Sequence, residues 1–194
     1  IYLPFNDNSF KKEIINLDEL NHANFFTKLI KNELYIISNG AGPVFKLDQN
    51  SFIRIDNTTL HKNQFGGARF VYNDKIHIYG GYGFWSFKNF ITFFDENIKQ
   101  WDLLYNNSEY LPPGRWKPIY NLLYDKLYVL GGRSGSAGTI NQDESYSDIF
   151  YFDLLNKEFI NLGTINSKLK TKYSLFSQPK LDDNIFLIDN DNLS

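Results

Sequence analysis

The 194-residue chain contains no cysteine, no methionine and only three histidines. The missing thiols exclude disulfides, thiolate metal sites and cysteine nucleophiles together, without saying which compartment the protein occupies. The missing methionine includes the initiator, which points to a removed leader or to an excerpt of a longer chain. Strong charge of either sign is also absent, since 20 basic side chains face 22 acidic ones for a net of -2. With no basic stripe, neither nucleic acid nor an anionic membrane surface has an electrostatic footprint to bind. No apolar run approaches the roughly 18 residues of a membrane span, so no membrane insertion is expected within this segment. The first residues do not read as a signal peptide. No stretch keeps a 3.6-residue apolar period, which leaves no room for a helix longer than about two turns. His22, His61 and His77 lack metal-ligand spacing, and Ser134 and Ser136 lie in a Gly-Ser stretch instead of a Gly-x-Ser-x-Gly nucleophile turn. No catalytic constellation, metal or cofactor is therefore expected.

What the chain has in quantity is aromatic side chains, 18 Phe, 13 Tyr and 3 Trp, which suit strands better than helices. Four β-rich runs each end at a turn signal: Leu34 to Gly40, Ile76 to Gly81, Leu127 to Gly132 and Ile185 to Asn190. A polar lead-in precedes each, at 31–33, 73–75, 124–126 and 182–184, as expected of a tight hairpin feeding a buried strand. The middle two runs are followed by an aromatic-Asp pair and a second aromatic seven residues on, Phe94-Asp95 with Trp101 and Phe152-Asp153 with Phe159. Leu47-Asp48 with Phe52, and Phe5-Asn6 with Phe10, are weaker versions. Each Asp falls before a hairpin turn, where a carboxylate caps backbone amides. Trp101 and Phe159 read as plugs between neighbouring sheets. Units of about four strands follow, none able to bury both faces alone.

These residues resemble the kelch repeat: an apolar run ending in Gly80-Gly81 or Gly131-Gly132, then the aromatic-Asp pair and the aromatic seven positions after its first member. Ser147 to Asp153 is similar to that family's third strand, and Leu111-Pro112-Pro113-Gly114-Arg115 to the entry into its first. The resemblance implies an all-β, kelch-like β-propeller of four-stranded antiparallel blades. It divides 1–194 into a half blade at 1–20, repeats at about 25–56, 65–104 and 115–162, and a half blade at 173–190. Asn39-Gly40 and Asp189-Asn190 depart from the double glycine. An arc of a larger ring is preferred over a closed four-bladed ring, with further blades or domains of the same chain expected. The other reading of the strand pattern is a β-sandwich with frequent turns.

Loops carry recognition where sheets carry stability. Gly81 to Lys88 is aromatic where a plain loop would be polar, and Arg133 to Tyr146 is long and polar. Tyr110, Arg115 and Trp116 come from a connection expected on the same face. Tyr82, Trp85, Arg115, Trp116 and Arg133 are accordingly the candidate ligand-binding residues, suited to a protein, peptide or glycan held by stacking and directional hydrogen bonds. The competing expectation is that Phe84, Trp85 and Phe87 fold back over a sheet edge while Arg115 pairs with an Asp. A non-enzymatic binding or scaffold module is the leading functional expectation. The resemblance also brings in sugar-acting enzymes of the mutarotase kind, but not copper oxidases, whose Cys-Tyr crosslink this chain cannot form.

Overall fold

A computed structural model describes residues 2–4, 10–12, 25–58, 62–135, 144–165, 173–177 and 185–189. Among them every regular element is a strand. In chain order these are β1 (Tyr2–Pro4), β2 (Phe10–Lys12), β3 (Phe25–Ile30), β4 (Glu33–Ser38), β5 (Val44–Asp48), β6 (Ser51–Arg54), β7 (Ala68–Tyr72), β8 (Lys75–Tyr79), β9 (Tyr82–Gly83) and β10 (Ser86–Phe87). They continue with β11 (Ile91–Asp95), β12 (Gln100–Leu104), β13 (Ile119–Leu123), β14 (Lys126–Leu130), β15 (Arg133–Ser134), β16 (Glu144–Ser145), β17 (Asp148–Asp153), β18 (Glu158–Thr164), β19 (Tyr173–Ser177) and β20 (Ile185–Asp189). Three antiparallel sheets of four strands result: β3-β4-β5-β6, β7-β8-β11-β12 and β13-β14-β17-β18, called sheets one, two and three. The pairs β1-β2, β9-β10, β15-β16 and β19-β20 form separate two-stranded sheets.

The second strand of each sheet explains the apolar runs. It is buried on both faces, so alternate residues serve two different cores. Ile76 and Ile78 of β8 meet sheet one, beside Ile30, Tyr35, Ile37 and Val44. Tyr79, on the opposite face of β8, joins Leu127, Val129, Phe150 and Phe152 of sheet three. The lead-ins are tight turns whose left-handed residues include Lys31, Asn32, Asn73, Asp74 and Tyr124. The fourth lead-in, at 182–184, lies outside the described residues.

The aromatic recurrence is a cross-strand pair. Phe94 stands opposite Trp101, Phe152 opposite Phe159 and Leu47 opposite Phe52. The interval shrinks to five in the last pair because its turn holds two residues, 49–50, where the others hold four. Asp95 accepts the Asn97 amide at 2.9 Å, and Asp153 accepts those of Leu155 and Asn156 at 2.9 and 3.0 Å. Trp101 is 3% exposed, and its indole N–H donates to the Gly42 carbonyl in the connection between β4 and β5 at 2.8 Å.

Polar ties repeat between sheets as well. The Tyr35 hydroxyl donates to Glu96 at 2.7 Å, and that of Tyr72 to Asp125 at 2.8 Å. The amide of Asn57 donates to the Lys99 carbonyl and that of Asn107 to the Lys157 carbonyl, both at 2.8 Å. The first strands β7 and β13 adjoin, as do β13 and β19. Consecutive sheets thus lie side by side, the Asn57 and Asn107 ties occupying equivalent places between them, and the connections joining second to third strands emerge at one end.

Candidate functional site

That end is built by segments 39–43, 55–58, 62–67, 80–90, 105–118, 131–135 and 144–147, stitched by backbone hydrogen bonds. Phe65 and Tyr82 exchange amide-carbonyl bonds at 2.9 and 3.1 Å, and Trp116 and Arg133 do so at 2.8 Å both ways. Lys117 N–H donates to the Gly66 carbonyl and Gly81 N–H to the Arg115 carbonyl, both at 2.8 Å. The chain packs closely enough here to require glycine. A Cβ on Gly81, which has φ +100, would lie 2.4 Å from the Gln64 backbone. One on Gly66 would lie 2.2 Å from Nε1 of the Trp116 indole, so that ring is seated on bare backbone.

From this surface projects the hairpin β9-β10. Tyr82 pairs with Phe87 and Gly83 with Ser86, leaving Phe84 and Trp85 as a two-residue turn. Both have positive φ, 46° and 58°. This is the geometry that hairpins ordinarily fill with Asn-Gly, and a left-handed L-residue costs roughly 1–2 kcal/mol. Burial does not repay that cost, because Phe84 is 77% and Trp85 70% exposed. Two large rings are thus held in solvent at the apex of a strained turn.

The five candidate residues fall into different environments. Trp85 is presented. Tyr82 is half-buried beneath it with its ring 4.8 Å from that of Phe87, and its hydroxyl is buried without a hydrogen-bond partner among the described residues. Trp116 and Arg133 are half-buried neighbours through their main chains, with the Lys117 ammonium 4.3 Å from the centroid of the Trp116 ring.

Arg115 is not on the surface at all. It is 0% exposed, donates to both carboxylate oxygens of Asp148 at 2.8 and 2.7 Å and to the carbonyls of Gly131 and Pro113 at 2.7 and 3.3 Å, and lies 4.7 and 4.6 Å from the rings of Tyr146 and Phe150. Burial by itself would lower its pKa, but Asp148 holds the guanidinium above its ordinary value. Expected among the ligand-binding residues, Arg115 lies inside the fold, joining the entry to β13 to the start of β17. The pairing and the fold-back of the aromatic loop, expected together, separate here: Arg115 is paired, while Phe84 and Trp85 do not fold back.

Phe84 belongs with the candidates, as does Phe65, which is 41% exposed and packs over Gly40. Ser136 and residues 137–143 of the long polar loop, like His22 and His61, lie outside the described residues. His77 is a buried strand residue among Phe70, Tyr72 and Phe93. At the opposite end a cleft of about 240 Å³ lies between sheets one and two, its two ammonium groups paired with carboxylates and its Glu96 bound by the Tyr35 hydroxyl. Lys31 pairs with Asp74 and Lys75 with Asp95, each at 2.8 Å. Among the described residues no group of three or more His, Asp or Glu could hold a metal ion.

No protein-family model matches the chain, and no curated protein matches its sequence. What the loop end does is therefore read from its own chemistry.

Proposed function

We propose that the three sheets are blades of a kelch-like β-propeller, an arc of a larger ring or a closed ring of four. We propose further that the protein is a binding module without catalytic chemistry, recognising a protein, peptide or glycan through its loop end. Support for the architecture comes from the meander order of each sheet, the adjoining first strands and the aromatic plugs between sheets. The observation that carries the function is the Phe84-Trp85 turn, where strain is maintained to expose apolar rings. Protruding rings of this kind act as anchors that a partner's pocket desolvates. A protein or peptide partner suits a projecting apex better than a glycan, which stacks on a broad platform.

The test begins with protein, peptide and glycan arrays probed with the wild-type chain. The double substitution Phe84→Asn with Trp85→Gly installs the residues the turn geometry prefers. It is expected to raise stability by about 1–2 kcal/mol while weakening captured ligands by roughly thirtyfold or more. Arg133→Ala is expected to weaken the same ligands with the fold intact. A wild-type chain that captures nothing, or a double variant that binds as the wild type does, refutes the assignment of this face.

A further inference from the structure

Two cations stand between the first strands of sheets one and two without a matching anion among the described residues. Lys28 lies on β3 and Arg69 on β7. Alternation puts Phe26, Lys28 and Ile30 on one side of β3, and that side faces sheet two, since Ile30 belongs to the core between the sheets and Phe26 packs against it. Arg69 and Val71 take the matching side of β7. Val71 packs against the same core, and the guanidinium carbon of Arg69 lies 4.6 Å from the centroid of the Phe26 ring. Both cations are half-buried.

Several other cations of the sheets and their connections are matched. Lys46, Arg54, Lys75 and Arg115 each have a carboxylate within 3.0 Å. No carboxylate among the described residues pairs with Lys28 or Arg69, and the strands β3, β7 and β13 contain no Asp or Glu. The Tyr120 hydroxyl donates to the main-chain carbonyl of Arg69 at 3.2 Å and not to its guanidinium. Burial lowers the pKa of Lys28, and the facing Arg69 lowers it further; burial also lowers that of Arg69.

A half-buried pair of like charges with no counter-charge is a poor way to stabilise a fold, and it becomes favourable when an anion is brought to it. A guanidinium resting on a ring keeps its in-plane N–H groups for a bidentate oxyanion, and an adjacent ammonium adds a second positive charge. We infer that Lys28 and Arg69 form a binding site for a dianionic oxyanion of the phosphate or sulfate type. The site is separate from the β9-β10 hairpin and does not depend on what that hairpin binds.

Isothermal titration of the full chain with inorganic phosphate, sulfate and acetate, at constant ionic strength, tests the site. Saturable one-to-one binding is expected for phosphate and sulfate and not for acetate. Lys28→Gln and Arg69→Gln are each expected to weaken it by about tenfold or more. In chloride alone, Lys28→Gln should unfold at the same temperature as the wild type or higher, because it relieves a repulsion. Absence of saturable binding by either dianion, or unchanged affinity in both variants, overturns the site. Acetate binding as tight as phosphate overturns its preference for a dianion. A lowered unfolding temperature for Lys28→Gln in chloride would mean that this ammonium already has a carboxylate partner, and would overturn it too.

Discussion

Replacing Arg115 with Met separates a structural clamp from a ligand contact. The substitution keeps much of the volume beside Tyr146 and Phe150 but removes the charge. It leaves the Asp148 carboxylate, only 17% exposed, without its bidentate partner, and the buried Gly131 carbonyl without its donor. Breaking a buried pair from one side costs about 3–5 kcal/mol, because the remaining charge is uncompensated. For a chain of this length that is a fall of roughly 6–20 °C in Tm. Urea unfolding followed by tryptophan fluorescence measures the cost directly. Repeating it between about 0.1 M and 1 M salt adds a second criterion, since a buried pair is screened far less than an exposed one. The double variant Arg115→Met with Asp148→Leu removes both charges and should recover at least about 2 kcal/mol relative to additivity. Ligand capture by the single variant, measured well below its Tm, should remain intact. A loss under about 1 kcal/mol, or strictly additive effects, would refute the clamp and return Arg115 to the surface.

Two further perturbations probe the cores. Trp101→Ala should cost about 3–5 kcal/mol, and Trp101→Phe about 1–3 kcal/mol from the orphaned Gly42 carbonyl; a change under 1 kcal/mol for the alanine variant in denaturant titration would contradict the burial of the indole. His77 gives a pH dependence: burial holds its imidazole neutral, with the pKa lowered from 6.5 to about 4, and Nδ1–H donates to the Lys75 carbonyl at 2.9 Å. Because the unfolded chain takes up the proton first, stability is full above pH 6.5 and falls by about 3 kcal/mol as the pH drops from 6.5 to about 4. His77→Phe should flatten that slope, and an unchanged slope would refute it.

The strand architecture was legible because its signals are local and repeated. Polar lead-ins, doubly buried second strands and the Phe94–Trp101 and Phe152–Phe159 pairs all follow from alternation and turn length. Even the weak version at Leu47 and Phe52 is the same pair on a shorter turn. The position of Arg115 was not legible, because its partner Asp148 lies 33 residues away, across a connection that no periodicity links to it. A charged residue behind two prolines in an exposed-looking segment gives no local sign of complete burial. The Lys28–Arg69 pair was hidden for the same reason: the two residues belong to different sheets, and only the packing of β3 against β7 brings them together.

The aromatic hairpin lies between these cases. Its composition marked the segment as unusual, but nothing in Gly-Phe-Trp-Ser announces a turn with two left-handed residues, since Asn-Gly is the usual sign of one. The conformation is imposed from below. Tyr82 is fixed by its ladder with Phe65 and its ring contact with Phe87, and Gly83 lies so close to Asn63 that a Cβ would meet it at 2.4 Å. With both strands anchored, only two residues remain to reverse the chain, and both take positive φ against the preference of their side chains. Phe84 and Trp85 therefore conflict with their own turn; Lys31 and Tyr124 are left-handed in their hairpin turns too, but here both turn residues are large apolar rings. Such a conflict, with 77% and 70% of the two residues left in solvent, is where selection for something other than stability is to be sought.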